Sequence, residues 1–205
     1  MRAASTLTSP TIGGTPVFSS GIPATEIPNG ITNANTTAQS QLTVAGTFYY
    51  ITNSNINLPA SLKAGMAVGT RFTWQVSMTK TAAGTGTFII AIYRGTNGTT
   101  GDTKDVSQSI GTQTAALDDM VVDVQVVVTA TGASGSYYWA IIPTNKALTA
   151  AGFGVATGTG AYFSGTVSGV AMNTASLKFG LGFSSTTGTP TIAIPMVNAR
   201  AFNID

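Results

Sequence analysis

The side chains available for chemistry in this 205-residue sequence are carboxylates, lysines and hydroxyls; it contains no His and no Cys. A Ser-His-Asp or Cys-His nucleophilic set is therefore excluded, leaving only Lys- or carboxylate-activated variants. A His/Cys zinc centre is excluded for the same reason. Paired carboxylates suffice for glycoside hydrolysis, so their spacing decides. Asp118 and Asp119 are adjacent and on a strand point to opposite faces. Asp119 and Asp123 share a face but stand about 13 Å apart at strand rise, too far for an acid/base pair. They read as a solvated strand face. Asp102 with Asp105, or Asp118 with Asp119, would need backbone carbonyls to complete the roughly six to eight oxygens that Ca²⁺ takes, and no EF-hand spacing is present. The Gly-rich GTNGTTGD stretch lacks the Gly-Lys-Ser/Thr ending of a phosphate loop. No catalytic residue, cofactor-binding residue or metal ligand is expected, and the chain reads as non-enzymatic.

Aromatic residues offer a second kind of chemistry. Trp74, Tyr137, Tyr138 and Trp139 contain enough ring surface to stack on a sugar. Trp74 is in phase with Phe72, Val76 and Met78, which places it in a core. In the Tyr137-Tyr138-Trp139 run, Tyr138 faces away from Tyr137, so one aromatic is left for the surface or a subunit contact. Core or interface is the stronger reading for all four.

The elements that position these residues are strands. Phe72, Trp74, Val76 and Met78 alternate with Arg71, Thr73, Gln75, Ser77 and Thr79 at period two. Met120, Val122, Val124, Val126 and Val128 do the same against Asp119, Val121, Asp123, Gln125 and Val127. Leu177, Phe179, Leu181 and Phe183 alternate with Lys178, Gly180, Gly182 and Ser184. Phe88 to Tyr93 is apolar on both faces and reads as a central strand. Further strands are expected at Phe48–Ile51, Tyr137–Ile142, Tyr162–Val170 and Thr191–Asn203. Turns fall at Asn53–Asn55, Ala83–Gly86, Gly95–Asp102 and Gly132–Gly135. Gly182, Pro190 and Pro195 suggest edges or bulges. The pattern predicts an all-β jelly-roll or β-sandwich lobe of about eight to ten antiparallel strands over residues 46–205.

Composition agrees. Charged residues make up 8% of the chain, against about 25% in an average soluble domain. Thr and Gly take their place, with 24 Gly and a single Glu. Strand and turn formers are abundant and surface helix formers scarce. Mean hydropathy is +0.27 and net charge +2, which argues for a folded chain. The isoelectric point of 9.0 reflects sparse charges of both signs. No Lys/Arg cluster is present to follow a phosphate backbone, so no nucleic-acid partner is expected. No run of about 20 apolar residues is present to span a membrane. The N-terminal residues lack the apolar core of a secretory signal, which predicts synthesis in a cytoplasm without export by the usual route.

Residues 1–45 read as an extended N-terminal arm. Between Arg2 and Lys63 the one charged residue is Glu26. Pro10, Pro16, Pro23 and Pro28 exclude helix interior and central strand. Small apolar knobs, Ile12, Val17, Phe18, Ile22, Ile27 and Ile31, lie between the prolines. This spacing suits a segment that docks on another surface, with Glu26 meeting a basic partner there. A flexible linker is the alternative.

The stretch TRFTWQVSMTKTAAGTGTFIIAIYRGTNGTTGDTKDVSQ, continuing as QTAALDDMVVDVQVVVTATGASG, resembles a jelly-roll module of tailed-bacteriophage virion proteins. The resemblance covers about a third of the chain. Its signature is the KTAAGT turn at Lys80–Thr85, RGTNGTTGD at Arg94–Asp102 and QTAALDD at Gln113–Asp119. It implies a virion structural role, as in trimeric head cement (decoration) proteins, with related modules in tail-fibre tips. It carries over no site chemistry; Lys80, Arg94 and Asp102 match its turns in structural roles. The implied partners are two further copies in a homotrimer and the major capsid protein of the same virion, and the implied location is the outer surface of the capsid, with assembly in the host cytoplasm. An arm beside one lobe, without heptads or shaft repeats, favours the cement reading over a receptor-binding or tail-fibre tip module.

Overall fold

The computed structural model describes residues 33–35, 39–42, 45–57, 66–145, 152–154, 161–174, 177–187 and 190–202. Among these residues there are twelve strands and no helix. The strands are β1 (Asn33–Asn35), β2 (Gln39–Leu42), β3 (Tyr49–Tyr50), β4 (Ile56–Asn57), β5 (Arg71–Lys80), β6 (Gly86–Gly95), β7 (Thr103–Gln113), β8 (Asp118–Ala130), β9 (Gly135–Asn145), β10 (Phe163–Val170), β11 (Lys178–Ser185) and β12 (Thr191–Phe202).

They form two sheets, and every recorded strand pair is antiparallel. One sheet has seven strands in the order β1-β12-β5-β8-β9-β10, with β2 also on β12; the other has five, β3-β11-β6-β7, with β4 also on β11. The chain crosses between sheets after β2, β4, β5, β7, β10 and β11. The result is the all-β sandwich that the period-two patterns predict.

The alternation decides what lies between the sheets. Phe72, Trp74, Val76 and Met78 of β5 and Met120, Val122, Val124, Val126 and Val128 of β8 are all buried. From the other sheet Phe88, Ile90, Ile92, Phe179, Leu181 and Phe183 meet them. Phe72 packs on Phe179 with ring centroids 5.0 Å apart, and Tyr137 meets Phe179 edge-on at 5.2 Å. These inter-sheet aromatic contacts fix the two layers face to face.

β7 departs from the sequence pattern, which shows no strand between the Gly95–Asp102 turn and Met120. Thr103–Gln113 nevertheless pairs along the whole of β6 as an edge strand. Two register shifts interrupt the pairing, and Val106 and Ile110, with the polar Gln108 between them, are the strand's only buried apolar residues. Two apolar residues in eleven leave too little of the period-two signal to reveal such a strand.

The Gly182 expectation is also corrected. β11 is an interior strand, and its pairing with β6 is unbroken from Lys178 to Ser185. Gly182 is needed for close approach instead: a Cβ there would stand 2.7 Å from the Tyr93 ring and 2.8 Å from the Tyr49 carbonyl. Pro195 does mark a bulge. The β12–β5 register shifts between Ala193 and Met196. On its other side β12 pairs with β2 through Ile194 and with β1 from Val197. The residue without an N–H thus sits where no ladder bond is required.

Candidate functional site

Five of the eleven described charged side chains, Lys80, Arg94, Asp102, Asp105 and Asp118, are committed to the interior or to a turn. Arg94 of β6 holds Asp105 of β7 in a forked ion pair, Nε to Oδ2 at 2.6 Å and Nη2 to Oδ1 at 3.2 Å. Tyr137 of β9 donates its hydroxyl proton to Asp105 Oδ2 at 2.9 Å from the opposite sheet. The Asp105 side chain is 4% exposed. Burial, then the Asp105 charge, pushes the Tyr137 hydroxyl far above its ordinary pKa.

Asp102 closes the turn before β7. Its Oδ1 accepts from the Asn97 N–H at 3.0 Å, and its Oδ2 accepts from the Gly98 and Thr99 N–H groups at 2.6 and 3.3 Å. Partial burial raises its pKa, but these backbone donors and the Asn97 side chain outweigh that and hold it below the ordinary value. Asp102 and Asp105 therefore serve separate structural partners. No group of three or more Asp or Glu with metal-site geometry occurs among the described residues.

Lys80 and Asp118, cross-strand partners on β5 and β8, are both buried. Lys80 Nζ donates to the carbonyls of Thr114 and Ala116 in the turn before β8. Burial lowers the Lys80 pKa, and the charge of Asp118 opposes that shift. Asp118 accepts from the Asp119 N–H at 2.9 Å and the Phe153 N–H at 3.2 Å. Phe153 is fully buried against Phe88, with ring centroids 5.1 Å apart. Lys80, Asp118 and the Gly152–Gly154 segment thus plug one end of the sandwich.

Asp119 and Asp123 do lie on the outer face of β8. Asp119 accepts from the Thr79 hydroxyl at 2.7 Å, and Asp123 accepts from Gln75 Nε2 at 3.1 Å. Asp123 belongs to a hollow of about 390 Å³ on the outer face of the seven-stranded sheet, lined also by Arg71, Thr73, Gln75, Gln125, Asn198, Arg200 and Phe202. Strand register builds it. Thr73 stands between Arg200 and Gln125, and Gln75 between Asn198 and Asp123. Arg71 lies over the Phe202 ring, 5.2 Å from its centroid. Arg200 Nε donates to Asn198 Oδ1 at 3.2 Å. The sequence gives these polar residues as the outward half of each alternation; it does not show that three strands gather them into one depression.

The aromatic residues separate as expected. Trp74 and Tyr137 are fully buried, and Trp139 is 9% exposed. Trp74 Nε1 donates to the Ser54 carbonyl at 2.6 Å, tying β5 to the Asn53–Asn55 turn. Tyr138 faces outward and shares a 2.5 Å hydroxyl–hydroxyl hydrogen bond with exposed Tyr162. The arm residues Ile12, Val17, Phe18, Ile22, Glu26, Ile27 and Ile31 lie outside the described residues. The described segments nearest to them, β1 and β2, extend the seven-stranded sheet along β12.

No protein-family model matches this sequence, and no curated protein matches it. Among solved structures it is similar to a chain in the structure of infectious bursal disease virus Gt strain, with 12% identity and a TM-score of 0.36 over 95% of this chain and 38% of that one. The VP2 subviral particle of infectious bursal disease virus gives 12% identity and a TM-score of 0.29 over 96% of this chain and 42% of that one. This chain spans less than half the length of either. Likeness at this level reaches no further than β architecture.

Proposed function

We propose that this protein is a non-enzymatic virion structural protein, a homotrimeric cement (decoration) subunit that binds capsomer junctions on the outer surface of a phage head. The observation that carries this reading is the nearly uncharged N-terminal region, whose described part, β1 and β2, is laid along β12. Residues 1–31 precede a segment anchored on the lobe, and their apolar knobs suit a neighbouring surface. Few charges and many neutral hydroxyls favour permanent contacts over salt-sensitive encounters. Three arms on one trimer would bind a repeating lattice multivalently. Binding the assembled shell, and not its free subunits, would stabilise it by mass action. The resemblance of residues 70–135 to phage virion modules supports the same reading.

The test is deletion of residues 1–31, which spares β1 and β2. The expected result is a folded lobe that no longer occupies shells, and shells that rupture at lower temperature. Normal occupancy with unchanged heat resistance refutes the proposal. The receptor-binding or tail-tip reading draws on the exposed Tyr138–Tyr162 pair. Antibody-gold labelling of the tail, with the head wall bare, would favour it.

A further inference from the structure

The hollow on the seven-stranded sheet gathers two cations, and among the described residues neither is in an ion pair. Arg71 and Arg200 are diagonal neighbours on β5 and β12, about 7 Å apart at the backbone. Among the described residues Arg71 makes no side-chain hydrogen bond or ion pair, and its guanidinium lies over the Phe202 ring. Among the described residues Arg200 uses Nε alone, and its two terminal nitrogens make no hydrogen bond. Two like charges side by side on a sheet are unfavourable without a counter-ion. In a chain with nine basic residues their placement in one depression stands out.

The rest of the hollow selects among anions. Asp123 lies two strands from Arg200, with Gln75 as its recorded hydrogen-bond donor. A carboxylate there repels a polyanion such as nucleic acid or polyphosphate, yet accepts well from hydroxyl groups. Gln125 makes no hydrogen bond among the described residues, and the Asn198 amide nitrogen is likewise unused. Two forks, one carboxylate and a set of amides match a ligand with one carboxylate on a body rich in hydroxyls. We propose that this hollow binds an acidic saccharide, its carboxylate held by Arg71 and Arg200 and its hydroxyls by Asp123, Gln75, Gln125 and Asn198. This reading is independent of the cement role.

The experiment titrates the full chain with sialyllactose and with a glucuronic-acid disaccharide, using lactose as the neutral reference. Binding is followed by calorimetry and by amide shift mapping. At least one acidic sugar should bind, with shifts confined to β5, β8 and β12, and lactose should bind at least about tenfold more weakly. Arg71→Gln and Arg200→Gln should each weaken binding about tenfold at an unchanged melting temperature. Asp123→Asn should weaken the sugar but strengthen inorganic sulfate. Equal binding of lactose, sulfate binding as tight as the sugars, no binding at all, or shifts mapping elsewhere would each overturn the proposal. So would tighter binding of a synthetic peptide of residues 20–32, which would make Glu26 of the arm the occupant. The shift map of the unmodified protein decides the matter even if a variant misfolds.

Discussion

Tyr137, on β9 of the seven-stranded sheet, donates a hydrogen bond to Asp105, on β7 of the five-stranded sheet, at 2.9 Å. Asp105 is at the same time gripped by Arg94, so one carboxylate links the two sheets.

This contact predicts an ordered pair of losses. Asp105→Ala leaves Arg94 nearly buried without its partner and should cost about 3–5 kcal/mol. Tyr137→Phe removes only a hydroxyl and should cost about 1 kcal/mol. For a chain of this size the first should lower the melting temperature by roughly 6–20 °C and the second by a few degrees. Equal shifts would show that the carboxylate does not tie the sheets together.

Alkaline stability should fall through tyrosine ionisation. Burial pushes the Tyr50 hydroxyl up from 10.0 to about 12, and burial also raises Tyr93 and Tyr137. A raised folded-state pKa contributes stability that is fully present below the unfolded value. That contribution is lost as pH rises through the folded one. The loss for Tyr50 should therefore run from pH 10.0 to about 12. Urea titrations across that window should show a shallower decline for Tyr50→Phe. An identical slope would exclude this linkage.

The acid limb should report Asp102. Its folded-state pKa is held below 3.8. Its contribution is thus present above that value and lost as pH falls through the folded one. Asp102→Asn should cost about 1 kcal/mol at pH 7 and less under acid conditions. Amide exchange at Asn97, Gly98 and Thr99 should speed up in the variant; protection equal to the parent's would contradict the cap.

The end plug predicts a cavity effect. Phe153→Ala removes a fully buried ring from its contact with Phe88 and should cost about 3–5 kcal/mol. Gly154→Ala acts through the backbone: φ is +79°, and a Cβ would stand 2.2 Å from the Thr112 carbonyl oxygen. It should destabilise by at least about 1 kcal/mol. Wild-type melting of either variant would show that Gly152–Gly154 does not close this end of the sandwich.

Much of the architecture was legible because burial imposes period two. The inward rows of β5, β8 and β11 follow directly from Phe72–Met78, Met120–Val128 and Leu177–Phe183. β7 escaped because only Val106 and Ile110 of its eleven residues are apolar, too few to display an alternation. Gly182 suggested an edge or a bulge but serves Tyr93, since a glycine in sequence does not say which neighbour needs the room.

By itself the sequence determined the sandwich class, the lack of His and Cys chemistry and the neutral N-terminal region. These depend on composition and local periodicity, which need no knowledge of partners. Tertiary structure alone decided which strands became neighbours. Strand order brought Arg71 and Arg200, 129 positions apart, into one hollow with Asp123. It also set Tyr137 against Asp105 across the sheets. Both are long-range pairings fixed by how the sheets are ordered and stacked, which no local pattern encodes.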